Sequence, residues 1–355
     1  MLFTDKTIVV TGGTGSLGKI LVQRILSGEM GQPKKVIVLS RDEAKQHAMR
    51  LSYLHKRATT DEVIYNNFIN LLEFRIGDVR DYASVCRTIR QADYVINAAA
   101  LKQVPTCEYF PEQALLTNCQ GAVNITRAII EQGYPVNTVV GVSTDKACKP
   151  VNVMGMTKAL QERIFTSANV LAHDTRFICV RYGNVLASRG SVIPLFHDQI
   201  QNGGPVTLTI PSMTRFLLSI HQAVDTIFAA LRQGKRGETY IPIVPSATVE
   251  NVAKALIADR NIELKVTGIR PGEKIHEILI SEEERNHTVR RDNYYAIQSM
   301  LPELREETDA MEYPLQKEYS SEDAVLNLNE TTALLKQHHL MVGDRMNASE
   351  EELLA

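Results

Sequence analysis

The sequence predicts an α/β protein with a Rossmann-like, doubly wound parallel sheet and a smaller C-terminal lobe. Two observations carry this prediction: short apolar runs alternate with helical stretches from residue 6 to residue 181, and the first run leads directly into a glycine-rich turn. Such alternation is typical of a parallel sheet with helices on its faces. Beyond Asn184 the alternation gives way to short strands and polar loops, which indicates a second lobe. The 355 residues suffice for both parts.

The first predicted strand, KTIVV at 6–10, runs into the turn TGGTGSLG at 11–18, and an apolar helix face follows. Gly12, Gly15 and Gly18 have the spacing G-x-x-G-x-x-G. Glycine lets the backbone approach a pyrophosphate closely, and the N-terminus of a helix offers free N–H groups and a positive dipole end. Because this turn lies between a strand and a helix, it predicts a dinucleotide-binding site in preference to a plain tight turn.

The second strand, VIVL at 36–39, ends in Ser40-Arg41-Asp42, with Lys45 one turn later. An acidic residue at the strand end would bind the ribose 2′-hydroxyl and favour NAD, whereas serine and arginine suit a 2′-phosphate. We therefore expect NADP. The alternative is that Arg41 is an ordinary exposed arginine of a loop.

Two further strands are expected on the cofactor side of the sheet. The strand at 73–76 is followed by Asp78, which either reaches the adenine amino group or caps the helix that begins near Tyr82. The strand YVIN at 94–97 ends in three alanines at 98–100. Their small side chains would let the backbone pass close to the nicotinamide ribose.

The central strand is predicted at 136–142, and its carboxyl end carries the polar triplet TDK at 144–146. Pro150 then breaks the chain, and a helix presents Met154 and Lys158 on one face, four residues apart. Ligands of open α/β sheets bind at the carboxyl ends of the strands. The triplet and the lysine are therefore candidate catalytic groups; the alternative is a capped loop before an ordinary helix.

The part of the chain after Asn184 is expected to bind the substrate. Its loops contain three arginines, at positions 189, 215 and 270. A guanidinium group suits phosphate oxygens, so three arginines opposite a cofactor fold indicate an anionic substrate such as a nucleotide sugar. Polar runs after Ser281 predict solvated or helical faces. The predicted division is an NADP-binding domain at 1–185, to which some later segments return, a substrate-binding lobe at 186–285 and a polar extension at 286–355.

Composition argues against several other classes of protein. The formal net charge is −2, which gives no basic field for nucleic acid. No apolar run approaches the roughly 20 residues of a membrane span, and the N-terminus lacks a basic segment followed by a long apolar one. We therefore expect a cytoplasmic protein with neither nucleic acid nor membrane as a partner. The five cysteines show no C-x-x-C spacing, so reduced, buried thiols are expected and no metal site.

The motifs TGxxGxxG, GDVRD, NAAALK, STDK, RYGNV and IRPGEK occur in this order within residues 3–280. Together they resemble the extended short-chain dehydrogenase/reductase family, and more narrowly its nucleotide-sugar 4,6-dehydratases that act on UDP-N-acetylglucosamine in bacterial surface-glycan or nonulosonic acid pathways. The resemblance implies a tightly bound, recycled NADP and a 4-keto-6-deoxy product. C4 is oxidised, water leaves across C5 and C6, and hydride returns to C6. A homodimer or higher homo-oligomer is implied as well, through helices near 111–132 and 154–169.

The resemblance also implies roles for residues of the central stretch. Asp145 would be the acid at the C6 hydroxyl and Lys146 the base at C5, with burial and the nearby Lys158 expected to lower the pKa of Lys146. Thr144 would hydrogen-bond the O4 region, and Lys158 would hold the nicotinamide ribose. Met154 replaces the usual tyrosine, as in some subgroups of these dehydratases, so Thr144 or a water would relay the proton of the 4-hydroxyl to Asp145.

Motif matching gives the remaining site residues. The implied substrate contacts are Lys102, Asn184, Arg189, Val192, Arg215, Arg270 and Glu273. The implied cofactor contacts are Gly12, Thr14, Gly15, Ser16, Leu17, Gly18, Ser40, Arg41, Asp42, Lys45, Asp78, Val79, Ala98, Ala99, Ala100, Lys102 and Lys158. One alternative is an epimerase or reductase on the same fold, although an epimerase has no need of an adjacent acid and amine. The other is a catalytically silent dinucleotide-binding scaffold, which Met154 would favour.

Overall fold

The computed structural model describes residues 1–55, 62–186, 191–305 and 314–344. The helices of this part are α1 Ser16–Leu26, α2 Glu43–His55, α3 Glu62–Leu71, α4 Tyr82–Ile89, α5 Val104–Tyr109, α6 Pro111–Ala114, α7 Gly121–Gln132, α8 Val153–Leu171, α9 Val192–Gln201, α10 Ile220–Gln233, α11 Val249–Ile257, α12 Glu282–Arg285 and α13 Leu328–Gln337. A π-helical turn, Leu115–Gln120, joins α6 to α7, and 3₁₀ turns span Asp145–Ala147 and Pro302–Leu304.

The strands of the same part are β1 Thr7–Thr11, β2 Lys35–Ser40, β3 Leu72–Ile76, β4 Tyr94–Asn97, β5 Thr138–Val142, β6 Arg176–Val180, β7 Asn184–Val185, β8 Val206–Leu208, β9 Thr214–Leu218, β10 Thr239–Pro242, β11 Ser246–Thr248, β12 Leu264–Val266, β13 Ile278–Ile280, β14 Thr288–Arg291, β15 Tyr294–Ile297, β16 Tyr319–Ser320 and β17 Val325–Leu326.

The main sheet has nine strands in the order β14-β15-β10-β6-β5-β4-β1-β2-β3. From β3 to β10 the neighbouring strands are parallel, and β15 pairs antiparallel with both β10 and the edge strand β14. The chain moves outward from β1 to β3 and then returns to β4 on the other side of β1. This reversal creates a crevice at the carboxyl ends of β1 and β4, where α/β sheets bind their ligands. The predicted fold class is confirmed.

The apolar strands are buried on both faces of this sheet, which explains their continuous hydrophobic runs. Val10 belongs to a core cluster with Leu21 of α1 and Ile227 of α10. The neighbouring Val9 points to the opposite face, where it lies in a cluster with Ile125 of α7 and Phe165 of α8. The two helical layers therefore fix the sheet and, with it, the position of the loops at its carboxyl edge.

A separate apolar core lies beyond residue 185. Phe196 of α9, Leu256 of α11 and Leu335 of α13 are buried within it. Besides the main sheet, the described residues form a sheet with the order β17-β11-β9-β7 and two pairs, β12-β8 and β13-β16. Ile280 of β13 and Tyr319 of β16 are buried in the core cluster of the main sheet. Strands β10, β14 and β15 instead join the main sheet. The division at residues 185 and 285 stays a prediction.

The helix predicted over 111–132 is confirmed apart from its π-helical turn. The prediction of solvated or helical faces was wrong for the run at 285–292, because residues 288–291 form the edge strand β14. An edge strand pairs with a neighbour on one side only and is partly exposed to water. β14 therefore carries polar side chains and lacks the apolar run that predicts a strand. The C-terminal run at 348–355 lies outside the described residues. Among the described helices, none combines the length and apolarity needed to cross a membrane.

Candidate active site

The glycine-rich turn fits closely against the end of β4. Gly12 has a φ of +67°, and a Cβ atom on it would lie 2.7 Å from the backbone nitrogen of Ala99. A Cβ atom on Gly18 would lie 2.5 Å from the Cα atom of Gly13. Both positions therefore need glycine, one for its backbone conformation as well as for space. The resulting turn places the start of α1 at the crevice between β1 and β4.

The N-terminus of α1 has the features of an anion site. Gly15 is its N-cap and supplies no side-chain hydrogen bond. Thr14 Oγ1 lies 3.0 Å from Ser40 Oγ, which ties the turn to the end of β2. A cradle of glycines at a helix N-terminus fits the pyrophosphate of a dinucleotide.

The loop after β2 carries the residues expected to select the cofactor. Arg41 is more than half exposed and lies 3.9 Å from Asp78. Asp42 and Lys45 pair with each other at 3.1 Å. Hydrogen bonds from the backbone and side chain of Lys45 lower the pKa of Asp42. The carboxylate of Asp42 is thus already engaged by a cation.

Asp78 does not cap a helix, so that alternative was wrong. Asp81 caps α4 instead, and accepts hydrogen bonds from the backbone of Ala83 and Ser84. Asp78 accepts from the backbone nitrogen of Arg80 at 3.0 Å and from its Nε at 2.8 Å. Burial opposes ionisation of Asp78, but these contacts outweigh it and lower its pKa.

The loop after β4 is held by a buried asparagine. Asn118 bonds both the backbone nitrogen of Leu101, at 2.8 Å, and its carbonyl oxygen, at 3.0 Å. Its amide also donates to Thr157 Oγ1 at 3.0 Å. The segment of alanines 98–100 is thereby tied to α8, and Lys102 follows it as an exposed residue.

Asp145 is completely buried at the carboxyl end of β5. Its Oδ1 accepts hydrogen bonds from Thr144 Oγ1 at 2.8 Å and from Lys146 Nζ at 3.0 Å. Its Oδ2 finds no donor among the described residues. The triplet predicted from the sequence is therefore a connected hydroxyl, acid and amine.

Lys146 lies between two carboxylates. Its Nζ is 3.0 Å from Asp145 and 3.2 Å from Glu277, a residue that sequence analysis did not identify. Burial favours the neutral amine, but the charges of Asp145 and Glu277 outweigh burial and the opposing charge of Arg215, and raise the pKa of Lys146. The expectation of a lowered pKa was wrong because the second carboxylate comes from a distant segment.

Lys158 and Met154 share a helix face but have different neighbours. Lys158 is buried, and its Nζ donates to the carbonyl of Val142 at 2.7 Å. Burial lowers the pKa of Lys158 to about 8. Met154 is buried in a small apolar cluster with Cys107 and Ala114. In this structure Met154 fills space between α8 and the α5–α6 segment.

The residues predicted to contact substrate differ in their settings. Arg215 donates to the carbonyl oxygens of Thr214, Ile275 and Lys274, so its guanidinium braces the loop that carries Arg270. Arg270 itself is exposed.

Four further residues were predicted to contact the substrate, namely Asn184, Arg189, Val192 and Glu273. Asn184 lies in β7, and its Oδ1 is buried without a donor among the described residues. Val192 opens α9, and Glu273 is half-buried. Arg189 lies outside the described residues.

A buried ionic network, also missed by sequence analysis, supports the central strand. Arg181 is 2.6 Å from Glu162 and 2.8 Å from Glu284. Ser143 Oγ donates to Glu162 at 2.5 Å. The only signal in the sequence is a charged residue directly after an apolar strand. The neighbouring Cys148 is buried, which raises its pKa to about 12 and leaves its thiol protonated.

Known proteins resemble most of the chain. Residues 8–299 match a family model described as "Polysaccharide biosynthesis protein". A protein named UDP-glucose 4-epimerase from Rickettsia conorii is 43% identical over 301 residues, which is 83% of this chain and 84% of that protein. A protein of the same name from Rickettsia typhi is 40% identical over 344 residues, 94% of this chain and 96% of that protein.

Solved structures resemble the fold as well. Pen from Bacillus thuringiensis has a TM-score of 0.85 at 32% identity, with 96% of this chain and 100% of that chain covered. DesIV, a dTDP-glucose 4,6-dehydratase from Streptomyces venezuelae solved with NAD and TYD bound, has a TM-score of 0.63 at 22% identity. The match covers 76% of this chain and 86% of the DesIV chain. At 22% identity, it shows a shared fold and no more than that.

Proposed function

The chain belongs to the polysaccharide biosynthesis protein family, and on that premise we propose that it is a nucleotide-sugar 4,6-dehydratase. Its substrate is UDP-N-acetylglucosamine and its product a UDP-4-keto-6-deoxy-N-acetylhexosamine. The observation that carries the proposal is the connected triplet at the end of β5, in which Thr144 and Lys146 both contact Asp145. Removal of water needs an acid and a base close together. An enzyme that only moves hydride at C4 has no such need.

The cofactor of the proposal is NADP, and the residues at the crevice fit it. Gly12 and Gly18 let the turn pack tightly against Ala99 and Gly13, and the N-terminus of α1 that follows offers its N–H groups to the pyrophosphate. Arg41 and Lys45 suit a 2′-phosphate because both are cationic. The carboxylate of Asp42, which would repel that phosphate, is paired with Lys45. When bound, the nicotinamide accepts a hydride from C4 of the sugar and returns it to C6.

The side chains of the triplet transfer the protons of the 4-hydroxyl and of C5. As C4 is oxidised, the 4-hydroxyl proton passes through Thr144 to Asp145, along the 2.8 Å hydrogen bond between them. Neutral Lys146 removes the C5 proton, and the electron pair of the C5–H bond forms the C5–C6 double bond. The C6–O bond breaks, and the hydroxyl takes the proton of Asp145 and leaves as water. The ammonium of Lys146 finally returns a proton to C5, so the amine and carboxylate are restored.

A second candidate is a UDP-glucose 4-epimerase. It is favoured by one observation, that relatives 40–43% identical to this chain are named UDP-glucose 4-epimerase. An epimerase moves hydride from C4 and back to C4, without loss of water. The buried thioether of Met154 has no proton to exchange with the 4-hydroxyl.

The partner in the proposal is a second copy of the chain. Met156 and Leu160 of α8 are about half exposed, and so is Leu115 of the π-helical turn. Large apolar side chains exposed on adjacent helices are typical of an interface between subunits. Light scattering after gel filtration tests this, since a homodimer or larger assembly is expected.

Product NMR after incubation with UDP-N-acetylglucosamine in deuterated water tests the reaction. We expect loss of water, a 4-keto-6-deoxy product and deuterium at C5, without added NADPH. A product that differs only in configuration at C4 would replace the dehydratase by the epimerase. No change of the sugar, with NADP bound, would favour a silent dinucleotide-binding scaffold.

A further inference from the structure

Glu277 is a buried carboxylate whose backbone is held by several hydrogen bonds. It is 2% exposed and directly precedes β13. Its backbone nitrogen donates to Ser321 Oγ at 2.9 Å, and the backbone nitrogen of Ser321 donates to its carbonyl at 2.8 Å. Ser321 Oγ in turn lies 2.7 Å from Thr214 Oγ1. Three separate segments of the chain therefore fix this backbone.

The side chain of Glu277 has few partners for a buried charge. Oε1 lies 3.2 Å from Lys146 Nζ and 3.9 Å from Arg215 Nε. Oε2 is buried without a hydrogen-bond donor among the described residues. A buried carboxylate costs free energy unless it is well paired, and apolar replacements of buried ion pairs are often as stable. Stability alone therefore explains this glutamate poorly.

The charges that face Lys146 balance only when Glu277 is included. Three charged groups act on the Lys146 amine. They are Asp145, which lies in the same 3₁₀ turn as Lys146, Glu277 before β13 and Arg215 of β9. The two carboxylates match the two cations. If Glu277 were removed, Lys146 would keep Asp145 alone, and in the proposed reaction Asp145 becomes neutral when it takes the 4-hydroxyl proton.

We propose that Glu277 is a positioning residue for Lys146, which fixes the amine beside Asp145 and stabilises its charged form. The catalytic consequence rests on the proposed function. While Asp145 holds a proton, Glu277 keeps Nζ in place, and afterwards it favours the ammonium that returns a proton to C5. The same contact means that Lys146 must lose its proton before it acts as a base, so the reaction is expected to speed up as pH rises.

The test compares Glu277→Gln with Glu282→Gln, a glutamate on α12 that is exposed to solvent. Glutamine keeps the size of Glu277 but removes its charge. In protein with ¹³C-labelled lysine, the Lys146 signal is assigned by its loss in Lys146→Arg and followed against pH. We expect Glu277→Gln to lower the titration midpoint of Lys146 by about 1–3 pH units, as for loss of a neighbouring opposite charge. Glu282→Gln should leave it unchanged, and equal midpoints in wild type and Glu277→Gln would overturn the proposal.

The rate of water loss from UDP-N-acetylglucosamine supplies a second readout. We expect the rising limb of kcat against pH to move to lower pH in Glu277→Gln, with little change in KM. A fall in kcat at every pH with no movement of the limb would mean a structural role only. If wild type releases no water while the NMR midpoint still shifts, the dehydratase proposal fails and the role of Glu277 stands. Glu277→Asp, which keeps the charge, is expected to restore the midpoint.

Discussion

Lys158 Nζ lies 2.7 Å from the carbonyl oxygen of Val142, the last residue of β5. Gln161 shares this contact, because its Oε1 accepts from Lys158 at 2.8 Å and its Nε2 donates to the same carbonyl at 3.1 Å. The direct partners of the amine are thus neutral, and burial lowers its pKa to about 8. A buried ammonium held in this way destabilises the fold at neutral pH.

Lys158→Met is therefore expected to unfold no more easily than wild type at pH 7, and its free energy of unfolding should be higher by up to about 3 kcal/mol. Gln161 still satisfies the carbonyl of Val142 in this variant. The penalty in wild type is complete below pH 8, where Lys158 is charged in both states. It disappears as pH rises from about 8 towards the ordinary value of 10.5.

Urea unfolding at pH 7 and pH 10 measures this difference, with the exposed Lys254→Met on α11 as a control. A Lys158→Met protein that is several kcal/mol less stable at pH 7 would contradict the argument. NADP binding by the same variant should weaken if Lys158 contacts the nicotinamide ribose, as the family resemblance implies.

Asp145→Asn is expected to lower the rate of water loss by about 10²–10⁴, the usual contribution of a general acid. Asparagine keeps the size of the side chain, and its amide oxygen can still accept from Thr144. NADP affinity should stay the same, because Asp145 is not among the proposed cofactor contacts. The exposed Asp259→Asn serves as the control in the same assay, and an active Asp145→Asn enzyme would remove Asp145 from its assigned role.

Gly12→Ala and Gly133→Ala separate backbone strain from lack of space. Gly12 and Gly133 have φ values of +67° and +62°, but the added Cβ would meet Ala99 only at Gly12, since nothing lies within 4 Å of it at Gly133. Both variants should lose about 1 kcal/mol from the left-handed conformation. Only Gly12→Ala should also lose NADP binding in a fluorescence titration. Equal affinity in the two variants would show that the turn does not lie against the cofactor.

Much of this site was predictable because its signals are local. The turn at 11–18 and the triplet at 144–146 follow apolar strands directly, and the carboxyl ends of parallel strands meet at one edge of a sheet. Glu277 was missed because it lies far from Lys146 in the sequence and meets it only through the packing of the folded chain. Arg181 was missed for a related reason, since its partner Glu162 lies on a helix and Glu284 in a later segment. Neither pairing leaves a periodic pattern in the sequence.

Met154→Leu and Thr144→Val together test whether the proton of the 4-hydroxyl leaves through Thr144. Leucine fills the same apolar cluster as Met154 and has no exchangeable proton, so it should cost less than about 1.5 kcal/mol of stability and leave the rate of water loss close to wild type.

Thr144→Val keeps the shape of the side chain but removes the hydroxyl that bonds Asp145 at 2.8 Å. We expect the rate to fall by about 10²-fold or more, with little change in NADP affinity. Both rates are measured by product NMR under saturating substrate. A large loss in Met154→Leu together with a small loss in Thr144→Val would mean that the proton leaves on the side of α8 and not through Thr144.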